Sequence, residues 1–229
     1  MVSSAPLHAS PAPPAWCALG RGDGGRTRLV ALDAQGAEIG DEEVMPHGLA
    51  ALVSRWEAEH SPRWVWSDAA AWYPRLLAAG VTLERCHDLR LVHRILRHSE
   101  LVRDAEALRS AWDWDAPLDP QEPERNVGAT LFELEATAPR AGAVPSDIAE
   151  TLAELDRQRR AIDTAEDPAR MRLLVAAESA GALVAAELQA AGIPWDVAEH
   201  DRILTSALGP RPAQGAAPAR MAEATAEVR

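Results

Sequence analysis

The spacing of hydrophobic residues predicts short strands alternating with one-sided helices over the first half of the chain. Two β-prone runs, 16–20 and 27–33, flank a glycine-rich stretch at 21–25 that has the chemistry of a hairpin turn. Residues 46–59 repeat their apolar positions with the period of an α-helix. The predicted strands are 16–20, 27–33, 36–39, 63–67 and 81–86, and the predicted helices are 46–59, 69–79, 89–97 and 147–162. The order βββαβαβα over 15–110 predicts a mixed α/β domain.

The pattern in the second half predicts a long helix, a tight turn and a shorter helix. Asp167 is a favourable N-cap for the long helix, and Gly192 lies where that helix can end in the left-handed conformation. Asp196, followed by Glu199 three residues later, resembles a capping box, and Gly209 ends the second helix. This part of the chain is therefore expected to be entirely helical.

Charge is concentrated in one segment. The chain has 229 residues, a net charge of −12 and 23 basic residues, all of them arginine. Residues 1–110 hold 12 Arg against 14 acids, and 157–229 hold 9 against 10, whereas 111–156 hold 2 against 11. The acidic stretch also carries five prolines (Pro117, Pro120, Pro123, Pro139 and Pro145). We therefore predict an acidic, Pro-rich linker at 111–145, whose charge says little about what the flanking regions bind.

Composition also favours a cytoplasmic protein. Cys17 and Cys86 are far apart in predicted strands, so two free thiols are favoured over a disulfide. No run of about 18 apolar residues occurs, so neither a membrane span nor a membrane partner is predicted. Residues 1–14 have neither a positive start nor an apolar core, so they are interpreted as a disordered tail and not as a signal peptide.

The long-helix, turn, short-helix pattern resembles one junction in a known family. Glu187, Gly192, Ile193, Trp195 and Asp196 match the place where the exonuclease-like domain of a family A (polymerase I type) DNA polymerase passes into the thumb. The arginine- and alanine-rich composition, and a Trp in the turn, are most similar to the actinobacterial "bifunctional 3′-5′ exonuclease/DNA polymerase" branch. The resemblance covers 15–110 and 146–229.

This resemblance implies a ribonuclease-H-like domain of the 3′-5′ exonuclease type at 15–110, followed at 146–229 by the start of a polymerase thumb. The implied parent function is template-directed DNA synthesis in replication or repair, with Mg²⁺ as cofactor. The chain lacks the palm and fingers motifs, so those domains of the parent chain are its implied partners and this segment is not expected to polymerise DNA. Duplex DNA is the other implied partner. Its phosphate-contacting candidates are Arg157, Arg159, Arg160, Arg170 and Arg172, which a solvated helix end would also explain.

The nuclease motifs of that family are largely missing. A two-metal exonuclease needs about four carboxylates from separate motifs. The family carries Asp-x-Glu on the first strand, but 16–20 hold no acid, and the second motif's ligands fall on Ala69 and Tyr73. The helix 147–162, expected to carry the third motif, has no tyrosine. Asp88, after the fifth strand, is the one remnant, so we expect no metal site, no cofactor and no catalytic residue in this segment.

Two other functions remain open from the sequence. An active exonuclease would require Asp33, Asp68, Asp88 and Asp156 to converge, although the position of Asp68 favours a helix cap. An interaction protein could act through the acidic sequence Trp112-Asp113-Trp114-Asp115 in the predicted linker. The histidines His87, His93 and His98 near Cys86 lack the spacing of zinc ligands, so they are expected to be packed or solvated.

Overall fold

A computed structural model describes residues 13–103, 105–115, 144–192, 194–213 and 216–227. The chain divides into two compact units, Met1–Ala190 and Ala191–Arg229. The first unit contains a five-stranded sheet and most of the helices. The second contains two helices, which are described separately below.

The strands form one mixed sheet in the order β3-β2-β1-β4-β5. Their bounds are β1 Trp16–Arg21, β2 Thr27–Leu32, β3 Glu38–Val44, β4 Arg63–Trp66 and β5 Cys86–Asp88. Antiparallel pairing joins β1 to β2 and β2 to β3, while β1 to β4 and β4 to β5 are parallel. Among these strands β2 alone runs against the others. The predicted α/β class is confirmed at this level.

Eight α-helices accompany the sheet in the described residues. They are α1 Leu49–His60, α2 Ala69–Ala78, α3 Leu89–His98, α4 Glu106–Ser110, α5 Ile148–Asp163, α6 Pro168–Ala191, α7 Val197–Leu208 and α8 Ala219–Glu227. Short 3₁₀ turns occur at Asp23–Gly25, Pro46–Gly48 and Trp112–Asp115. The predicted helices at 46–59, 69–79, 89–97, 147–162 and 197–208 and the long helix from Asp167 are confirmed to within a few residues, the first of them opening as 3₁₀.

Both faces of the sheet are covered at β1, β2 and β4, whose residues are largely buried. Side chains on successive residues of a strand point to opposite faces, so these strands contribute to two cores. On one face Cys17, Leu19, Trp64 and Trp66 join the buried residues of α1, α2 and α6 in one core. On the other face lies a second core (Ala18, Val30, Leu32, Val65, Leu89, Trp114, Val144, Ile148 and Leu155). A third apolar cluster joins α3 and α4 to α5 and α6. The sheet is thus the middle layer between helices.

Two strands differ from their predicted positions. The third was predicted at 36–39, but Gly36, at φ +87°, belongs to a turn closed by its N–H to the Asp33 carbonyl, and β3 begins at Glu38. The fifth was predicted at 81–86. Val81 instead donates its N–H to the Leu76 carbonyl at the end of α2, and pairing with β4 starts only at Cys86. In both cases a helix or turn hydrogen bond takes the backbone groups that a strand would need.

The predicted linker is shorter than 111–145. Trp114 is only 1% exposed and lies in the core between α5 and the sheet, and Asp115 forms an ion pair with Arg97 on α3. Val144 is also buried in that core. The remainder of the linker, 116–143, and residues 1–12 of the predicted tail lie outside the described residues. The docking hypothesis for 112–115 is therefore wrong for Trp114, whereas Trp112 is 71% exposed.

The division between units also differs from the predicted one. We predicted a helical region beginning at 146, but α5 and all but the last residue of α6 belong to the same compact unit as the sheet. The segment before α5 pairs with the end of β1, since Arg21 bridges to Asp147 and donates its N–H to the Ser146 carbonyl at 2.7 Å. Helix α5 therefore starts from a backbone position fixed by β1.

Helix α6 is long and apolar enough to span a membrane by length and composition alone, with a mean hydropathy of 1.4 over 18 residues, whereas no such segment was predicted. Alanine accounts for the difference, because it raises the mean without a run of large apolar side chains. One stripe of α6 is buried: Met171, Val175, Ser179, Leu183 and Ala186. These residues pack into the first unit, so this face of α6 is part of its folded core.

The two tryptophans of the 3₁₀ turn provide a matched test of the corrected linker boundary. We expect Trp114→Ala to lower the free energy of unfolding by about 3–5 kcal/mol, because it leaves a cavity beneath α5. Trp112→Ala should change it by less than about 0.5 kcal/mol, since that side chain is exposed. Urea unfolding followed by far-UV circular dichroism measures both. Equal effects of the two substitutions would contradict the packing of Trp114.

Candidate functional site

Asp88, to which the resemblance assigns the one remnant of the nuclease motifs, caps two helices. It ends β5 and is fully buried. Its Oδ1 accepts the N–H of Leu91 at 3.0 Å at the start of α3, and its Oδ2 accepts the N–H of Ala69 at 2.6 Å at the start of α2. Burial, with Asp68 nearby, raises the pKa of Asp88 to about 6. Both carboxylate oxygens therefore serve as helix caps.

The other carboxylates of the exonuclease alternative also have structural partners. Asp68 caps α2 through Ala70 and lies 2.9 Å from the guanidinium of Arg90. Asp33 accepts the N–H of Ala37 in the β2–β3 turn. Asp156 is exposed on α5. In the described part of the chain no three His, Cys, Asp or Glu side chains group so that they could hold a metal ion. Asp33, Asp68, Asp88 and Asp156 therefore do not converge on a two-metal site.

Tyr73, at the position where the resemblance places an aspartate, connects α2 to α6. Its hydroxyl donates to Glu187 Oε1 at 2.6 Å and accepts the N–H of Leu83 at 3.2 Å. Burial, together with the bond to Glu187, raises the pKa of Tyr73 to about 12. The hydroxyl therefore remains protonated and keeps the C-terminal half of α6 against the first core.

A buried polar network fixes α5 to β5 and α3. Gln158 donates to the Leu89 carbonyl at 2.8 Å and to Glu154 Oε1 at 2.7 Å, and its Oε1 lies 2.8 Å from His87 Nε2. Glu154 Oε1 also lies 2.7 Å from His93 Nδ1. Arg157 pairs with the other oxygen of Glu154. Only Arg157 of these five side chains is not fully enclosed.

Burial and the hydrogen-bond partners together indicate that both imidazoles, His87 and His93, are neutral. The Gln158 amide nitrogen already donates twice, and its oxygen accepts a hydrogen bond from the N–H of His87 Nε2. Burial lowers the pKa of His87 to about 4, and burial with Arg97 and Arg157 nearby lowers that of His93 to about 4. Protonating His93 would add a buried N–H at Nε2, an atom with no partner in the described structure. His93 Nδ1 therefore donates to the carboxylate of Glu154.

Sequence reasoning missed Glu154 and Gln158, although the signal was present. These residues are four apart and share a helix face with Thr151, Leu155 and Ile162. Leu155 and Ile162 make this the apolar face of the helix, so a charged and an amide side chain on it indicate a polar network in the core. The expectation of packed or solvated histidines is confirmed, with His87 and His93 packed and His98 exposed.

The five arginines proposed as phosphate contacts have different surroundings. Arg157 is held by Glu154, and Arg159 Nη2 donates to the Ala34 carbonyl at 2.9 Å. Arg160 pairs with Asp156 and Arg172 with Asp163, all four being more than half exposed. Arg170 is exposed on the first turn of α6. The structure thus divides the cluster into two inward and three outward side chains.

The inward Arg159 lies at a cleft of about 360 Å³ between the sheet edge and the α5–α6 turn. Trp16 and Arg63, paired across β1 and β4, line it together with Arg172 and His87. Arg63 and Trp16 were not predicted as site residues. They come together only through the parallel register of two strands that are distant in the sequence.

In the second unit, the helix-end signals predicted at 192–209 occur as expected. Asp196 Oδ1 accepts the N–H of Glu199 at 3.0 Å at the start of α7, and α7 ends before Gly209 at φ +91°. Gly192 has φ +74°. Trp195 is 60% exposed and its ring lies 4.5 Å from that of His200. Ile193, also part of the matched pattern, lies outside the described residues.

No family model, curated protein or solved structure matches this chain.

The buried histidines predict a loss of stability on acidification. Their folded pKa values near 4 lie below the unfolded value of about 6.5, so the unfolded state binds more protons between these limits. Each can remove up to about 3 kcal/mol as pH falls from 6.5 to 4. Asp88, with its raised folded pKa, acts in the opposite sense: it contributes most below pH 4 and loses this contribution as pH rises through about 6.

We therefore expect the free energy of unfolding, measured by urea denaturation, to fall between pH 6.5 and 4, with Asp88 offsetting part of the fall. His93→Gln keeps a donor for Glu154 but removes one proton-binding group, so its decrease should be smaller. His98→Gln, at the exposed end of the same helix, is the control for loss of an imidazole. A decrease in His93→Gln as large as in the unaltered chain would contradict this assignment.

Proposed function

We propose that this chain is the N-terminal part of a family A DNA polymerase, carrying a ribonuclease-H-like exonuclease domain that no longer cleaves DNA. Its work is to support the polymerase body and to contribute to the grip on duplex DNA through helices at the start of the thumb. Two features support the fold assignment. The strand order β3-β2-β1-β4-β5, with β2 opposed, is expected of a ribonuclease-H-like sheet. The capped α7 after Gly192 fits the junction pattern.

The burial of β1 beneath α5 supports the proposal that the nuclease chemistry is lost. In the family this strand supplies the first two metal ligands, and two cations need carboxylates around open space. Here Ala18 is fully buried, and a Cβ added to Gly20 would lie 2.5 Å from the Ile148 Cα of α5. Helix α5 thus occupies the volume that side-chain ligands and metal ions would need.

The exposed face of α6 supports a missing partner within the same parent chain. While its buried stripe packs on the first unit, Leu173, Leu174, Val184 and Leu188 are exposed on its other sides. A helix with apolar residues on nearly all sides is normally covered. We assign this face to contact with the palm and fingers domains of the proposed parent polymerase.

The outward arginines support the DNA contact. Arg160 and Arg172 form exposed ion pairs, which contribute little and can exchange their carboxylate for a phosphate. Arg170 is exposed on the first turn of α6. We therefore narrow the duplex contact to these three side chains, since Arg157 and Arg159 are held by the fold itself.

The other two functions lose their support in the described residues. An active exonuclease needs several metal ligands together, and no three His, Cys, Asp or Glu side chains group in that way in the described residues. An interaction peptide at 112–115 could present only Trp112, since Trp114 is buried in the core.

The nuclease proposal predicts that the purified chain does not degrade DNA. With Mg²⁺ or Mn²⁺, release of nucleotides from the 3′ end of single-stranded DNA should equal the rate without protein. Asp88→Asn is the matched variant, because it removes the remaining carboxylate while keeping its size. Nucleotide release that this variant abolishes, with its circular dichroism spectrum unchanged, would show an active site and overturn the proposal.

Adjacent residues of α6 test the proposed polymerase-facing side. Leu183 is 4% exposed in the first core, so Leu183→Asp should lower the free energy of unfolding by more than about 3 kcal/mol. Val184 is 53% exposed, so Val184→Asp should leave stability nearly unchanged and reduce self-association. Urea unfolding and light scattering measure the two effects. An unaltered chain that is already a soluble monomer, with no response to Val184→Asp, would contradict a bare partner-binding face.

A further inference from the structure

The cleft at the starts of β1 and β4 contains two arginines, Arg63 and Arg159, that the proposed function does not use. It is bordered by the first residues of β1 and β4, the turn after β2, the end of α5 and the second turn of α6. All of these elements belong to the first compact unit. Its volume of about 360 Å³ is within the range of small-molecule sites, about 300–1,000 Å³.

Three guanidinium groups line this cleft, and two of them have no acidic partner among the described residues. Arg172 is paired with Asp163 at 2.7 Å, and both border the cleft. Arg63 and Arg159 instead donate to backbone carbonyls, those of Cys86 at 3.1 Å and Ala34 at 2.9 Å. Burial, with Arg85 nearby, lowers the pKa of Arg63, which remains charged at neutral pH. The cleft therefore carries two partly enclosed positive charges without a counter-charge.

The positions of these two cations are fixed before any ligand binds. Both guanidinium carbons lie 5.7 Å from the centroid of the Trp16 ring, which restrains them by cation–π contact. Arg159 is further held by the β2–β3 turn, where its Nη2 donates to the Ala34 carbonyl. Gly36 leaves the space for this guanidinium, since a Cβ at that position would lie 1.6 Å from Nη1. Such fixed side chains reduce the entropy lost on binding.

The donor set favours a phosphate over a carboxylate. A carboxylate is satisfied by one guanidinium fork, whereas the terminal oxygens of a phosphate monoester can accept from two or three. The cleft also has an apolar wall, formed by Ile162, Val175 and Ala176. That wall fits the organic group esterified to the phosphate.

We propose that this cleft binds a phosphate monoester, with Arg63 and Arg159 holding the phosphate and the Ile162–Val175 wall contacting the organic group. The monoester could belong to a free small molecule or to the 5′ end of a DNA strand. The proposal does not depend on the assignment to a polymerase, because it uses only residues of the first unit.

Isothermal titration of the full chain with phenyl phosphate tests the site directly. Arg159→Gln and Arg63→Gln should each weaken binding by tenfold or more. Arg75→Gln is the matched control, since it removes the same charge from an exposed position of α2 outside the cleft, and it should change the affinity less than twofold. Circular dichroism of each variant verifies folding. Benzoate, a carboxylate of similar size, should bind more weakly than phenyl phosphate.

Competition identifies the source of the phosphate. A short 5′-phosphorylated oligonucleotide that displaces phenyl phosphate, where its 5′-hydroxyl counterpart does not, would assign the site to a DNA end. Displacement by neither would assign it to a free small molecule. Absence of phenyl phosphate binding, equal weakening by Arg159→Gln and Arg75→Gln, or tighter binding of benzoate would each overturn the proposal.

Discussion

The packing of α5 across the sheet is the constraint on which the rest of the first unit depends. Its buried side places Glu154 and Gln158 in the protein interior, where unpaired polar groups would cost about 1–3 kcal/mol each. The fold satisfies them with His87, His93, Arg157 and the Leu89 carbonyl. Because each partner comes from a fixed element, the network specifies one register of α5 against β5 and α3.

That register has two consequences at opposite ends of the helix. At its start Ile148 lies so close to Gly20 that β1 has no space for a side chain at this position. At its end Arg159 and Asp163 border the cleft beside Trp16. The same helix therefore closes the position where the resemblance would place metal ions and opens a basic cleft at the other edge of the sheet.

Sequence patterns predicted the strands and helices whose own residues determine them. β1, β2 and β4 are apolar runs, and α1, α3 and α7 have caps or one-sided periodicity. β3 was misplaced because it is an edge strand, whose acidic residues pair with Arg28 and Arg55 instead of forming an apolar run. β5 has three residues, and its pairing is determined by β4 and not by local preference.

The cleft could not be predicted for a related reason. Trp16 and Arg63 are neighbours only through the parallel register of β1 and β4, which no local pattern specifies. Trp114 was assigned to the linker because charge and proline dominate its surroundings, whereas its own burial depends on an aromatic-sized space beneath α5. Tertiary packing overrides composition at such positions.

Arg159 and Arg160 show why a cluster of like charges in a sequence does not define one binding surface. An α-helix turns about 100° per residue, so neighbouring side chains leave it in different directions. Arg159 points to the β2–β3 turn, where Gly36 leaves space for it, while Arg160 pairs with Asp156 in solvent. The fold holds the guanidinium of Arg159 in place, whereas another anion can replace Asp156 as the partner of Arg160. A single arginine-rich stretch can therefore supply both a specific anion site and a nonspecific phosphate contact.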